Sequence, residues 1–132
     1  MDAYIHDVKC YECDAMGITH HSNYVRFMEE ARCYLLEQLG FPFNEIEAAG
    51  YVSPVVSLSV RYRKPTRFPD KVQIRTRLSE MGELKFTFAY EMTVGDVTVC
   101  TAESTHCLMD REGRPVRLEK AFPELVEKLR EL

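Results

Sequence analysis

The sequence predicts an α+β fold in which one long helix packs on a five-stranded antiparallel sheet. Three observations carry that expectation. Over residues 23–39, Tyr24, Phe27, Met28, Ala31, Leu35 and Leu39 recur at helical spacing and make one broad apolar face. From residue 56 onward the period of the apolar positions falls to two, as in strands. The later strand-like runs are joined by tight turns, the connection that antiparallel neighbours permit.

The first strand is expected over residues 4–11, which are rich in aromatic and β-branched side chains but alternate poorly. A loop from Glu12 to Ser22 follows, carrying Gly17 and the His20-His21 pair. Ser22 or Asn23 is suited to cap the long helix, and Gly40 stands just beyond its end. Asn44 and Glu47 have the spacing of a capping box and predict a short helical turn that Gly50 ends. Then Val56, Leu58, Val60 and Tyr62 alternate with Ser57, Ser59, Arg61 and Arg63. Val72, Ile74 and Leu78 alternate with Gln73, Arg75 and Arg77; Leu84, Phe86, Phe88, Tyr90 and Met92 alternate with Lys85, Thr87, Ala89 and Glu91. A last strand covers 97–109. Gly95-Asp96 has the residue order of a type II′ hairpin turn, Met81-Gly82-Glu83 reads as a short turn of the same kind, and Pro65, Phe68 and Pro69 mark a longer bend. The sheet's apolar face and the helix's apolar stripe are expected to bury one another. Pro123 opens a terminal helix with Leu125, Val126 and Leu129 along one side, expected at the periphery.

The 132 residues suit one domain, 1–132, with no repeat, linker or low-complexity segment. A content of 45% hydrophobic and 29% charged residues is that of a globular chain rather than a disordered one. The net charge of −4, with both signs interleaved, lacks the basic footprint of a nucleic-acid partner. No apolar run reaches the roughly 18 residues of a membrane span, and the N-terminus lacks the basic and apolar regions of a signal peptide, so a cytoplasmic location is expected. Cys10, Cys13, Cys33, Cys100 and Cys107 are odd in number and irregularly spaced, as reduced thiols are. The Cys10-x-x-Cys13 pair has no second pair to complete a zinc site, and a loop rather than a helix follows it; both thiols are expected to pack as small apolar groups.

Chemistry concentrates in the stretch Tyr11 to Tyr24, where a carboxylate, a glycine and two imidazoles run directly into a helix N-terminus. Such an end offers unpaired N–H groups and partial positive charge, which suit the oxygen of a polarised carbonyl. A carboxylate seven residues upstream has the reach to face the same carbon.

This stretch resembles the signature of the 4-hydroxybenzoyl-CoA thioesterase family, including its YbgC-like branch. That signature is Asp, two residues, Gly, then an aromatic residue or His, and Asn or Ser with Tyr opening a helix. Asp14, Gly17, His21, Asn23 and Tyr24 stand at those spacings. Glu30-Ala31-Arg32, and the run from Tyr62-Arg63-Lys64-Pro65 to Asp70, are also similar to family features. The order strand, helix, four strands is that of the hotdog fold, an antiparallel five-stranded sheet wrapped around a long central helix, so the likeness covers nearly the whole chain.

The resemblance implies an acyl-CoA thioesterase releasing a free carboxylic acid and CoA. Asp14 would be its catalytic carboxylate, attacking the thioester carbonyl or activating water to do so. The His21 N–H would hold the thioester oxygen, Gly17 would permit close approach, and the His21 side chain would assist. Asn23 and Tyr24 would line the substrate site. Arg63, Lys64 and Arg67, with Arg61, have the charge and donor geometry for CoA phosphates, although a polar strand face accounts for them equally. The resemblance further implies a homodimer with joined sheets, or a homotetramer, with sites at the subunit interface. The carrier would be CoA or acyl-carrier protein, with no metal or prosthetic group. Two positions depart from the pattern: Glu12 stands where Asp is common, and His20 where an aromatic residue is.

Other residues have plainer readings. Glu29 and Glu30 are adjacent on a helix and point apart, so solvated charge, or pairing of Glu29 with Arg32, is expected rather than joint catalysis. His20 is expected to be structural or pocket-lining, and His106 to be satisfied within the sheet. The rival functions are a non-catalytic acyl-thioester binding module, a hotdog dehydratase or hydratase, and an acyltransferase using Cys13 with His20 or His21 as base.

Overall fold

The computed structural model describes residues 2–132. The chain runs β1 (Tyr4–Asp7), α1 (Asn23–Gln38), α2 (Phe43–Ala48), β2 (Val55–Tyr62), β3 (Lys71–Met81), β4 (Lys85–Val94), β5 (Val97–Met109), β6 (Pro115–Val116), α3 (Leu118–Ala121) and α4 (Pro123–Arg130). The sheet is antiparallel throughout, in the order β1-β3-β4-β5-β2, with β6 paired to β5. All five expected strands are present. The sixth is a two-residue pairing with no alternation to read.

Helix α1 packs on β3 and β1, and Phe27, Met28 and Ala31 on its inner face are at most 1% exposed. Val72 and Ile74 of β3 and Met92 of β4 meet them in one core. Burying each large side chain of this kind is worth about 1.5–3 kcal/mol, which is why the helix docks as a unit. Leu125, Val126 and Leu129 of α4 belong to the same core, so the terminal helix closes one end of it rather than lying at the periphery. Among the described residues no helix is long and apolar enough to cross a membrane.

Several local expectations are corrected. The first strand stops at Asp7, and a 3₁₀ turn at Cys10–Glu12 follows, because Val8 N–H already pairs with the Asp70 carbonyl and the chain then turns into the loop. Ser22 stands at the N-cap of α1, but no side-chain hydrogen bond caps the helix there. Ser22 has helical backbone and its hydroxyl pairs with His20 Nδ1, while the Asn23 amide reaches Glu12. The Asn44 capping box does not form, since Pro42 is the N-cap of α2 and Asn44 lies inside the helix. Gly40 and Gly50 do follow their helices at positive φ, 87° and 100°. Gly95 has φ 60°, as the first position of a type II′ turn requires. Gly82 does not have positive φ; its N–H donates to the Lys85 carbonyl (2.7 Å), leaving Leu84 exposed in the turn.

The largest correction concerns β2. Leu58, Val60 and Tyr62 pair with Ser104, Ala102 and Cys100, so they share the sheet's inward face. Yet Leu58 and Tyr62 are 44% and 49% exposed, because β2 is an edge strand and α1 packs on β1 and β3 at the other edge of the sheet.

Candidate active site

The segment between the 3₁₀ turn and α1 closes on itself. Cys13 and Thr19 form an antiparallel bridge, Asp14 N–H donates to the Ile18 carbonyl (2.8 Å), and Gly17 N–H donates to the Asp14 carbonyl (3.0 Å). Gly17 takes φ 79°, which other L-residues enter only with strain. A Cβ there would meet no protein atom within 4 Å, so the backbone sign, rather than crowding within the protein, calls for glycine. Inside this turn Asp14 Oδ1 accepts the Met16 N–H (2.8 Å), an Asx turn that orients the carboxylate and leaves Oδ2 without a donor among the described residues.

One carbonyl joins the loop's start to the helix. Glu12 O accepts both the His20 N–H (2.8 Å) and Asn23 Nδ2 (2.8 Å). The Ser22 N–H reaches His20 Nδ1 (3.2 Å). Between these two spent donors, the His21 N–H has no acceptor among the described residues. It is therefore a free donor at the head of α1, where partial positive charge collects.

Asp14, His21, Tyr24, Tyr62, Arg63 and Lys64 line one open groove of about 370 Å³. Two of the expected substrate-site residues lie elsewhere. Asn23 is buried, with its amide committed to Glu12. Arg67 sits outside the groove in the β2–β3 bend, where its N–H meets Asp70 Oδ2 (3.0 Å). Tyr24 reaches the groove, although it is 3% exposed and its hydroxyl is bonded to Thr66 Oγ1 (2.9 Å). Arg61 faces the sheet's outer surface, beside Arg75 and Glu103. The His21 ring stacks on His20 at 4.3 Å, with no hydrogen bond to Asp14, and Tyr62 OH donates to the His21 carbonyl (3.1 Å).

Residues outside the motif hold this arrangement. Thr19 N–H donates to the Thr66 carbonyl (2.7 Å), and the two threonine hydroxyls lie 2.6 Å apart. Thr66 is fully buried and also bonds Tyr24, so it clamps the loop, α1 and the β2–β3 bend together. On the other side, buried His6 bridges Glu12 and Glu30, and Tyr4 OH donates to Glu30 (2.7 Å). Burial alone would raise the Glu12 pKa, but the hydrogen bonds from His6 and the Lys9 N–H outweigh it and hold the carboxyl below its ordinary value. Sequence reasoning missed His6, Thr19 and Thr66, whose partners lie across the fold.

The plainer residues also find their places. Glu29 makes no pair with Arg32, whose guanidinium instead donates to Tyr90 OH (3.0 Å). His106 is held by Ser104 at Nε2 (2.7 Å), and burial, helped by Arg32, pushes its pKa down to about 4. The five cysteines are free; Cys10 is exposed rather than packed. Cys13 Sγ points to the Lys9 carbonyl (3.7 Å) and meets neither His20 nor His21, so it has no base.

Comparison with known proteins adds to this geometry. The model of the thioesterase-like superfamily matches residues 8–129. YneP of Bacillus subtilis, which carries the provisional name acyl-CoA thioesterase, is 32% identical over 121 residues, covering 89% of this chain and 87% of that one. A crystal structure from Aquifex aeolicus is 34% identical with a TM-score of 0.89, covering 93% of this chain and 97% of the other. The DHNA-CoA thioesterase of Staphylococcus aureus is 28% identical with a TM-score of 0.90, covering 99% and 91%.

Proposed function

This chain belongs to the thioesterase-like superfamily and is an acyl-CoA thioesterase of the hotdog fold, and we propose that Asp14 is its catalytic carboxylate and the His21 N–H its oxyanion donor. One observation carries this reading: Asp14 and His21 line the same groove, and the His21 N–H is unspent among the described residues.

The thioester carbonyl oxygen docks at the His21 N–H, and the partial positive charge at the head of α1 favours the negative charge that develops there. Asp14 acts on the carbonyl carbon, directly or through a water whose proton its free Oδ2 accepts. The tetrahedral intermediate then collapses. Its C–S bond breaks and the electron pair leaves on the CoA sulfur; the water route leaves the free acid at once, whereas direct attack leaves an acyl–Asp14 anhydride that a water then hydrolyses to the acid and the free carboxylate. A thiolate is a good leaving group, so no strong acid is required opposite Asp14. No step calls for a metal ion or prosthetic group, and CoA enters as part of the substrate. Arg63 and Lys64 at the groove rim suit its phosphates.

We propose a homodimer joined along β2. The strand presents an unpaired edge and wet inward side chains, the combination that a second copy covers. Such pairing continues the sheet across both protomers and brings the two grooves to the shared boundary.

The test of the catalytic assignment is Asp14→Asn, which keeps the acceptor for the Met16 N–H. Thiol release should fall about 100-fold or more with unchanged circular dichroism. Full turnover in a folded Asp14→Asn protein overturns the assignment.

A further inference from the structure

The 3₁₀ turn that precedes Asp14 carries a thiol at each end. Cys10 opens the turn and is exposed, and half-buried Cys13 closes it. The Cys13 N–H donates to the Cys10 carbonyl (3.1 Å), the bond of a 3₁₀ turn. In such a turn, side chains three residues apart eclipse, and a rise of about 2 Å per residue sets their Cα atoms about 6 Å apart. A disulfide spans Cα separations of roughly 4.4–6.8 Å. Both thiols are free. Among the described residues Cys13 Sγ has one polar contact, a long one to the Lys9 carbonyl (3.7 Å), and that oxygen also takes the Glu12 N–H (3.0 Å). The backbone therefore holds two thiols within bridging range, with little to keep them apart.

We propose that Cys10 and Cys13 form a reversible disulfide, a modification site whose reaction partner is a small disulfide of the glutathione type. The exposed Cys10 thiolate attacks one sulfur of that disulfide, bonds to it, and releases the other sulfur as a thiolate. The Cys13 thiolate then attacks Cys10 Sγ, the mixed S–S bond breaks, and the second small thiolate leaves. The protein gives up two thiol protons and two electrons, and the small disulfide takes up both as it becomes two thiols. A loop this short restricts the unfolded chain little, so the bridge stays open to reduction by excess thiol.

The same turn is the mount of the site, and its effect on turnover rests on the thioesterase reading. Glu12, between the two cysteines, anchors His20 and Asn23 through its carbonyl. Cys13 adjoins Asp14 in the chain and bridges Thr19. Closing the disulfide draws eclipsed Cβ atoms from about 6 Å to about 3.8 Å apart. Movement on that scale at Cys13 passes to Asp14, and misplacing a reacting group by about 1 Å costs up to roughly 100-fold in rate. The bridged form turns over slowly, and the reduced turn is the active state.

The test exposes the full chain to oxidised glutathione and then to dithiothreitol. Trypsin cuts after Lys9 and Arg26, so Cys10 and Cys13 are the two cysteines of the peptide 10–26. That peptide should become lighter by two hydrogens, with circular dichroism unchanged. Turnover is followed as the loss of hexanoyl-CoA and phenylacetyl-CoA by chromatography, with no thiol reagent present. It should fall about tenfold on oxidation and return with dithiothreitol. Cys10→Ser should keep the turnover of the reduced protein and not respond to the oxidant. A peptide that is unchanged, or that carries glutathione in place of the ring, overturns the proposal. So does a closed ring with unchanged turnover, or a fall that Cys10→Ser shares. If the reduced protein hydrolyses no acyl-CoA, the thioesterase reading fails instead. The peptide and the amide resonances of Asp14 and His21 then decide: a closed ring that shifts them sustains the coupling of turn and site, and unshifted resonances remove it.

Discussion

His6 Nε2 lies 2.9 Å and 3.1 Å from the two carboxylate oxygens of Glu12, and His6 Nδ1 lies 3.2 Å from Glu30 Oε2. Each ring nitrogen faces a carboxylate. The contact ties β1 to the loop and to α1. Because the Glu12 carbonyl also anchors His20 and Asn23, His6 fixes the spacing between Asp14 and the His21 N–H without touching either.

Glu12→Gln should therefore lower both stability and turnover. Removing one partner of a buried pair leaves the other uncompensated, at a cost of about 3 kcal/mol. Urea unfolding reads the first effect and kcat the second. A loss under about 0.5 kcal/mol, the scale of an exposed pair, would show that the contact contributes little.

Thr66→Ala removes the hydroxyl that Thr19 and Tyr24 share. Two buried hydroxyls then lose a partner, and destabilisation of about 1–3 kcal/mol is expected, with a fall in kcat as the loop loosens. Thr66→Ser should restore both. Equal kinetics in Thr66→Ala and the parent protein would detach the clamp from the site.

His106 sets an acid response. Its folded ring protonates only near pH 4, against 6.5 for an ordinary histidine. Across that interval the unfolded chain binds more protons, so stability rises with pH. It should be complete above pH 6.5 and fall by roughly 3 kcal/mol by pH 4. Glu12, held below its ordinary carboxyl value, adds a further loss as acidification passes through its folded pKa. Denaturant unfolding at stepped pH should give a flatter profile for His106→Leu between pH 6.5 and 4.5. Superimposable profiles would contradict the assignment.

Leu58→Lys places a charge on the wet inward face of β2. Sedimentation should move from dimer to monomer, and thiol release should fall with it. An unchanged dimer would place the subunit boundary elsewhere.

Much of this architecture was legible because it is periodic. The spacing of Phe27, Met28, Ala31 and Leu35 marks the buried face of α1, and the alternation in β4 marks its pairing. Asp14, Gly17 and His21 were legible as a local motif, and the groove brings Asp14 and His21 together. What escaped depends on distant partners. Nothing local to Thr66 shows that it meets Thr19 and Tyr24, and nothing near His6 names Glu30. The alternation of β2 was read correctly as a pattern and wrongly as burial, because pattern reports which side chains share a face and not whether anything covers that face. Ser22 and Asn23 have capping chemistry, but stronger geometric claims from His20 and Glu12 take their side chains.

The Thr19–Thr66 link has a consequence for the order of folding. The two residues are 47 positions apart, and Thr66 lies in the bend between two sheet strands. Such a contact forms only after the intervening chain has closed, the slow class of event in a sheet protein. In a refolding time course, α1 and the β3–β4–β5 meander should register by circular dichroism first. Thiol release should return last, with a lag equal to the time the β2–β3 corner needs to find the loop.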